Sequence, residues 1–348
     1  MMICAEKGIY LTFFPPFDTI IHEKAGKTPF FGGKHIGMTG GRGLPAGKEQ
    51  GQDRRRKMTV RDSFLCKIPI AHRGLHEGVP ENSRAAFAKA IEEGYAIETD
   101  VRRTKDGTIV VVHDDNLKRL TGLEGKVSRS TWRELSSLRL GDTDEKIMTL
   151  EECLEYIDGR APLLLEVKDL YTVVGFPREV VNVMRQYKGE YALQSFNPFY
   201  VHRFKQLAPD VLRGQLAVGI FSPDVLISCR DTLEGFDISP EIFACEGGLT
   251  RRQVKEAVAK AAEQSGFTDT HKHWKFDAWA VKTMIMNFIT KPDFVSYCCY
   301  NLPYHRAKKK ENRAVLGWTI QSEAQAEKLR PWVDNVIFEN FRPRKTAE

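Results

Sequence analysis

The chain has 348 residues, 42% of them hydrophobic, which is enough for one large core or two modest ones. Its formal net charge of +6 is uneven: residues 1–58 hold ten Lys/Arg against five Asp/Glu and the remainder is nearly neutral, which speaks against a nucleic-acid partner for the folded part. Seven irregularly spaced cysteines without a CxxC pair speak against a disulfide framework or a structural zinc site, and no run approaches the roughly 18 apolar residues of a membrane span.

Residues 1–57 hold ten of the 27 glycines and end in Arg54-Arg55-Arg56-Lys57. They read as a flexible, solvated extension. Met58 or Met38 is taken as the native start, with the preceding stretch an over-extended reading frame; the alternative is a basic arm that touches membranes or anionic partners. The mildly apolar stretch from Gly8 to Ile21 is interrupted by Pro15, Pro16 and Asp18 and lacks a small-residue cleavage site, so it is not read as a signal peptide. Free thiols point to a reducing compartment and hence to the cytoplasm.

From residue 66 onward, strand and helix signals alternate. The apolar run from Lys67 to Ala71 ends at His72-Arg73-Gly74. Ser83 to Gly94 has helical spacing, with Ala86, Phe87, Ala90 and Ile91 on one face and Gly94 as a C-cap. Ala96 to Val101 reads as a strand, extended by Thr108 to Val112, which ends at His113. Thr149 is the expected N-cap of an amphipathic helix to Ile157. Further strands are expected at Pro162 to Val167, Tyr191 to Phe196, Val211 to Val218, Asp293 to Cys298, Val315 to Ile320 and Val336 to Phe338. Lys308-Lys309-Lys310 reads as a solvated helix face, and His271 and His273 as surface histidines. Eight strand units separated by helices predict an α/β fold, a parallel (β/α)8 TIM barrel, and no GxGxxG follows the first strand to suggest a dinucleotide fold. Two stretches exceed a crossover and are expected to be insertions after strands 2 and 5: residues 114–148, and residues 219–290 with a helix around Thr250 to Gln264.

Four strand ends carry ionisable residues: His72 and Arg73, Glu98 and Asp100, His113 and Asp114, Glu166 and Lys168. In a parallel barrel these ends converge on one face. Residues two apart on a strand point the same way, so Glu98 pairs with Asp100 and Glu166 with Lys168. Converging buried carboxylates repel one another unless a cation is bound, and hard oxygen donors without thiolate favour Mg²⁺ or Ca²⁺. Two histidines beside such a site suit phosphodiester hydrolysis, one imidazole taking a proton from the nucleophile and the other protonating the leaving alkoxide, with Arg73 and Lys168 facing the phosphoryl oxygens. Phe196 and Trp318 at strand ends line the substrate pocket or pack the core. Glu81 reads as a local structural group, and Asn82 either caps the helix from Ser83 or belongs to the site.

The ordered series Ile70-Ala71-His72-Arg73-Gly74, Pro80-Glu81-Asn82, Glu98-Thr99-Asp100-Val101, Asp106-Gly107, Val112-His113-Asp114 and Glu166-Val167-Lys168 resembles the signature of glycerophosphodiester phosphodiesterases. Weaker echoes follow at Gln194-Ser195-Phe196-Asn197, Pro292-Asp293-Phe294-Val295-Ser296 and Gly317-Trp318-Thr319. The resemblance implies a catalytic barrel over residues 58–348 that hydrolyses glycerophosphodiesters to glycerol 3-phosphate and an alcohol, in glycerol and lipid metabolism. It implies Glu98, Asp100 and Glu166 as metal ligands and His72 and His113 as acid and base. It also implies Arg73 and Lys168 near the phosphate, with Asn82 completing the metal site or orienting a histidine. Ser83 stands where the family often has Thr, and Phe338-Glu339-Asn340-Phe341-Arg342-Pro343 departs from its usual Thr-Asp ending at the eighth strand. Two alternatives keep the barrel: lysophospholipase D-type cleavage of lysophospholipids, and a non-catalytic barrel that only binds glycerophosphodiesters.

Overall fold

The computed structural model describes residues 59–168, 175–218 and 282–344. The expectations for residues 1–57, for the helix around Thr250 to Gln264 and for His271 and His273 lie outside the described residues.

Eight parallel strands close on themselves. In chain order they are β1 (Ile70–Ala71), β2 (Ala96–Arg103), β5 (Leu163–Val167), β6 (Tyr191–Ser195), β7 (Leu212–Ala217), β8 (Phe294–Cys298), β9 (Ala314–Ile320) and β10 (Asn335–Phe338), and pairing of β1 with both β10 and β2 completes the barrel. β3 (Ile109–Val111) runs antiparallel to β2 and β4 (Met148–Thr149) antiparallel to β3, so the Thr108 to Val112 run is a hairpin partner of the second barrel strand.

Strand alternation sorts the side chains into two layers. Ala96, Leu164, Ala192, Leu212, Phe294, Ala314, Leu316 and Ile337 share one buried cluster inside the barrel, closed below by Phe64 and Leu65 of a short 3-10 turn (Phe64–Cys66). The alternate residues Ile97, Val101, Leu163, Leu165, Val167 and Leu193 belong to the layer between barrel and helices. Gly214 is required in β7, because a Cβ there would lie 2.1 Å from the ring of Phe294.

The helices follow from local chemistry. α1 (Arg84–Glu92) starts at Ser83, whose hydroxyl accepts from the Ala86 amide at 3.2 Å, and ends before Gly94 at φ +67. The insertion after β2 carries two short helices, α2 (Lys118–Thr121) and α3 (Trp132–Leu135), and its own core of Val112, Leu117, Val127, Leu135 and Ile147. α4 (Leu150–Ile157) opens with a reciprocal capping box between Thr149 and Glu152. α5 (Phe176–Met184), α6 (Pro198–Leu207), α7 (Asn287–Thr290) and α8 (Glu323–Leu329) complete the described helices.

Two local expectations are corrected. Lys308, Lys309 and Lys310 are exposed but not helical; Lys310 and Arg313 close an antiparallel bridge that turns the chain into β9. Asn82 is not the cap of α1: its backbone stands at φ +55, whereas an N-cap needs the extended backbone that Ser83 has. The cysteines among the described residues, Cys66, Cys153, Cys298 and Cys299, are all free thiols, and no described helix is long and apolar enough to cross a membrane.

Candidate active site

The C-terminal ends of β1, β2 and β5 bring the acidic residues together. Asp100 lies in register with Glu166 across the β2–β5 pair, and Glu98 is on the same inward face one pleat below. One carboxylate oxygen from each of Glu98, Asp100 and Glu166 lies within 4.8 Å of the other two, and all three residues are buried, Asp100 completely. Lys168, two residues after Glu166, places Nζ 3.1 Å from Asp100 Oδ1 and 2.8 Å from Glu166 Oε1. Both contacts are ion pairs that offset part of the charge on Asp100 and Glu166.

Backbone geometry aims the neighbouring polar groups. Arg73 has φ +56, a conformation costly for a residue with a Cβ, and such strain concentrates at functional sites. Its amide donates to Glu98 Oε2 at 3.2 Å, its Nη1 to Glu81 Oε1 at 2.8 Å, and its Nε lies 3.5 Å from Asp100 Oδ2. Asn82 donates through Nδ2 to Asp100 Oδ2 at 3.0 Å and accepts from the Thr99 hydroxyl at 2.7 Å. Asn82 thus orients a carboxylate, while Glu81 holds Arg73.

Each histidine is anchored on one side by a carboxylate. His72 Nδ1 is 2.8 Å from Glu339 Oε2, and Gln321 donates to the other oxygen of Glu339 at 2.8 Å. His113 Nδ1 is 2.6 Å from Asp114 Oδ1, and Arg119 Nε donates to Asp114 Oδ2 at 2.5 Å. A carboxylate at Nδ1 favours the tautomer with the proton there, which leaves Nε2 as the lone-pair nitrogen. Glu339, Gln321 and Arg119 carry no role in the sequence reading. Glu339 was visible only as a departure from the family's usual ending, and Arg119 as an ordinary basic residue of an insertion.

The electrostatics follow from burial and from this crowding. Burial raises the Glu98 carboxyl well above the usual range, and the Asp100 and Glu166 charges raise it further. Burial also raises Glu166, against the pull of Lys168. For Asp100 burial acts in the same sense, but Lys168, His113 and Arg73 overcome it and hold this carboxyl well below the usual range. His72 is lowered by burial and then by Arg73; His113 is pushed well down by burial, Arg73 and Lys168. Both imidazoles therefore rest neutral near pH 7.

Phe196, just after β6, and Trp318 in β9 meet edge to face, with ring centroids 5.7 Å apart and planes at 79°. Strand alternation from Ala192 and Leu316 puts both on the inward side, and Trp318 packs on the barrel's inner cluster. Its buried Nε1 has no hydrogen-bond partner among the described residues.

The donor set fits a hard divalent cation: three buried carboxylates with one oxygen each within 4.8 Å of the other two, and no thiolate.

The sequence model of the glycerophosphoryl diester phosphodiesterase family matches residues 72–341. A glycerophosphodiester phosphodiesterase of Caldanaerobacter subterraneus is 36% identical over 160 residues, 43% of this chain and 66% of that protein. A human lysophospholipase D is 39% identical over 121 residues, 34% of this chain and 36% of the human protein. The chain thus spans just under two thirds of the bacterial relative's length. Among solved structures, an Oleispira antarctica phosphodiesterase in complex with the product sn-glycerol-3-phosphate superposes with a TM-score of 0.53 at 23% identity, covering 78% of this chain and 93% of that one.

Proposed function

The chain belongs to the glycerophosphoryl diester phosphodiesterase family, and on that premise we propose that it hydrolyses glycerophosphodiesters to glycerol 3-phosphate and an alcohol. The observation that carries the reading is the meeting of Glu98, Asp100 and Glu166 within 4.8 Å of one another, at strand ends shared with two carboxylate-anchored histidines.

In this reading Glu98, Asp100 and Glu166 hold Mg²⁺ or Ca²⁺, which when bound neutralises charge on the phosphoryl oxygens. Arg73 and Lys168 bind the remaining phosphoryl oxygens, and the fixed Arg73 backbone limits how far its guanidinium can wander. One neutral imidazole accepts the proton of the attacking oxygen nucleophile at Nε2. The other donates a proton to the departing alkoxide as its bond to phosphorus breaks. The negative charge of the arriving diester favours a proton on that second ring, offsetting the burial and the cationic neighbours that depress it in the free protein. Glu339 and Asp114 keep each ring turned with Nε2 toward the substrate. Phe196 and Trp318 form an apolar wall for the glycerol or alcohol moiety. The free thiols support a reducing compartment such as the cytoplasm.

The test is a metal-by-substrate screen on the purified chain. Glycerol 3-phosphate is expected from glycerophosphocholine with Mg²⁺ or Ca²⁺ and not after chelation; no turnover of any glycerophosphodiester with either cation would remove the reading. A second reading, lysophospholipase D-type cleavage on the same barrel, is supported by the human relative. Choline release from lysophosphatidylcholine in excess of that from glycerophosphocholine would favour it.

A further inference from the structure

The insertion after β2 contributes a side chain to the site that the mechanism above does not use. Arg119, in α2, spreads its planar guanidinium over two carboxylates. Nε donates to Asp114 Oδ2 at 2.5 Å, while Nη1 and Nη2 donate to Glu81 Oε2 and Oε1 at 2.8 Å each. The opposite oxygen of Asp114 receives His113 Nδ1 at 2.6 Å, and Glu81 Oε1 also receives Arg73 Nη1 at 2.8 Å. A continuous chain of hydrogen bonds therefore runs from His113 through Asp114, Arg119 and Glu81 to Arg73.

We propose that Arg119 is a positioning residue that locks the His113 imidazole and the Arg73 guanidinium into one geometry, so that docking of the insertion sets the spacing between proton transfer and phosphate binding. The proposal rests on the acid–base reading of His113. Three observations carry it. The pairing with Glu81 is bidentate, a geometry that Arg supplies and Lys does not. Glu81 and Asp114 are nearly buried, with 10% and 12% of their side-chain surface exposed; if the guanidinium is removed, Asp114 loses its cationic partner and Glu81 keeps only Arg73. Burial would raise the Glu81 carboxyl, yet Arg73 and Arg119 hold it well below the usual range, so it stays an anion able to grip both arginines. The fold explains why the link is available: the insertion's separate core of Leu117, Val127 and Leu135 fixes the segment from which Arg119 projects.

The test compares Arg119→Ala, Arg119→Lys, Asp114→Asn and the double variant Arg119→Ala/Asp114→Asn, using glycerophosphocholine with Mg²⁺. Arg119→Ala is expected to lose roughly 10–100-fold in kcat, the range for residues that orient a reacting group, with KM also raised through Arg73. Added guanidinium ion should restore part of the loss. The double variant should be no slower than Asp114→Asn alone. Wild-type kcat in Arg119→Ala, or losses that multiply in the double variant, would overturn the proposal. Should Arg119→Ala fail to fold, Arg119→Lys carries the test: it keeps the charge and stem but not the fork, and wild-type kcat in it is equally fatal. The ¹⁵N shifts of the His113 ring separate this proposal from the functional one. Loss of the Nδ1-protonated tautomer in Arg119→Ala supports the positioning role even in a chain that turns over no diester, and an unchanged tautomer refutes it even in one that does.

Discussion

Glu339 sits at the end of β10, where the family often has a different residue, and it is the partner of His72. Burial would raise its carboxyl, but the hydrogen bond from His72 and that residue's charge bring it down to about 2, against roughly 4.3 for a free Glu. Between those values the folded chain binds fewer protons than the unfolded one. The stabilisation is therefore complete above the ordinary value and is lost as pH falls toward the depressed one. Glu339→Gln should flatten the acid arm of stability against pH, measured by urea unfolding between pH 2.5 and 7; an unchanged slope would show that the pair does not form. The same variant should lower kcat by about 10²-fold or more, because the amide no longer selects the Nδ1-protonated ring. His72→Ala and His113→Ala should each cost about 10²–10⁴-fold in kcat while the circular dichroism spectrum is kept. A variant that turns over at the wild-type rate would free that ring of its assigned role.

At the scale of elements, strand alternation is what made the acidic cluster legible. Glu98 with Asp100, and Glu166 with Lys168, share a face because residues two apart always do, and the β2–β5 register then sets Asp100 beside Glu166. The helices were readable for similarly local reasons: Thr149 is followed three residues later by Glu152, which completes a capping box. What could not be read depends on contacts far apart along the chain. His72 and Glu339 are 267 positions apart and meet only because β10 closes against β1. Asn82 and Ser83 are both good caps by residue type, and only the positive φ of Asn82 decides between them. The inward face of β7 offers a test of the layer reading itself. Gly214→Ala would drive a methyl group to within 2.1 Å of the Phe294 ring. It should destabilise the fold by about 1–3 kcal/mol, as overpacking does; a neutral result in urea unfolding would mean that Phe294 does not fill the barrel there.

At the scale of the whole molecule, closing the barrel forces three carboxylates into a buried volume. Lys168 and Arg73 offset part of the repulsion, yet Glu98 is still pushed well above the usual carboxylate range. Such burial costs stability unless the charges are paired or coordinate a cation. If a divalent ion belongs there, it binds the closed barrel and not the unfolded chain, so folding and metal binding are linked. Adding Mg²⁺ or Ca²⁺ at about 100 times its Kd should then stabilise the chain by roughly 2.7 kcal/mol, seen as a concentration-dependent rise in Tm. In Glu98→Gln/Glu166→Gln little or no rise in Tm is expected when metal is added, because two of the three carboxylates are gone. A wild-type Tm indifferent to both cations would mean that Lys168 and Arg73 alone neutralise the cluster. The buried carboxylates would then be a structural ion-pair network and not a metal site.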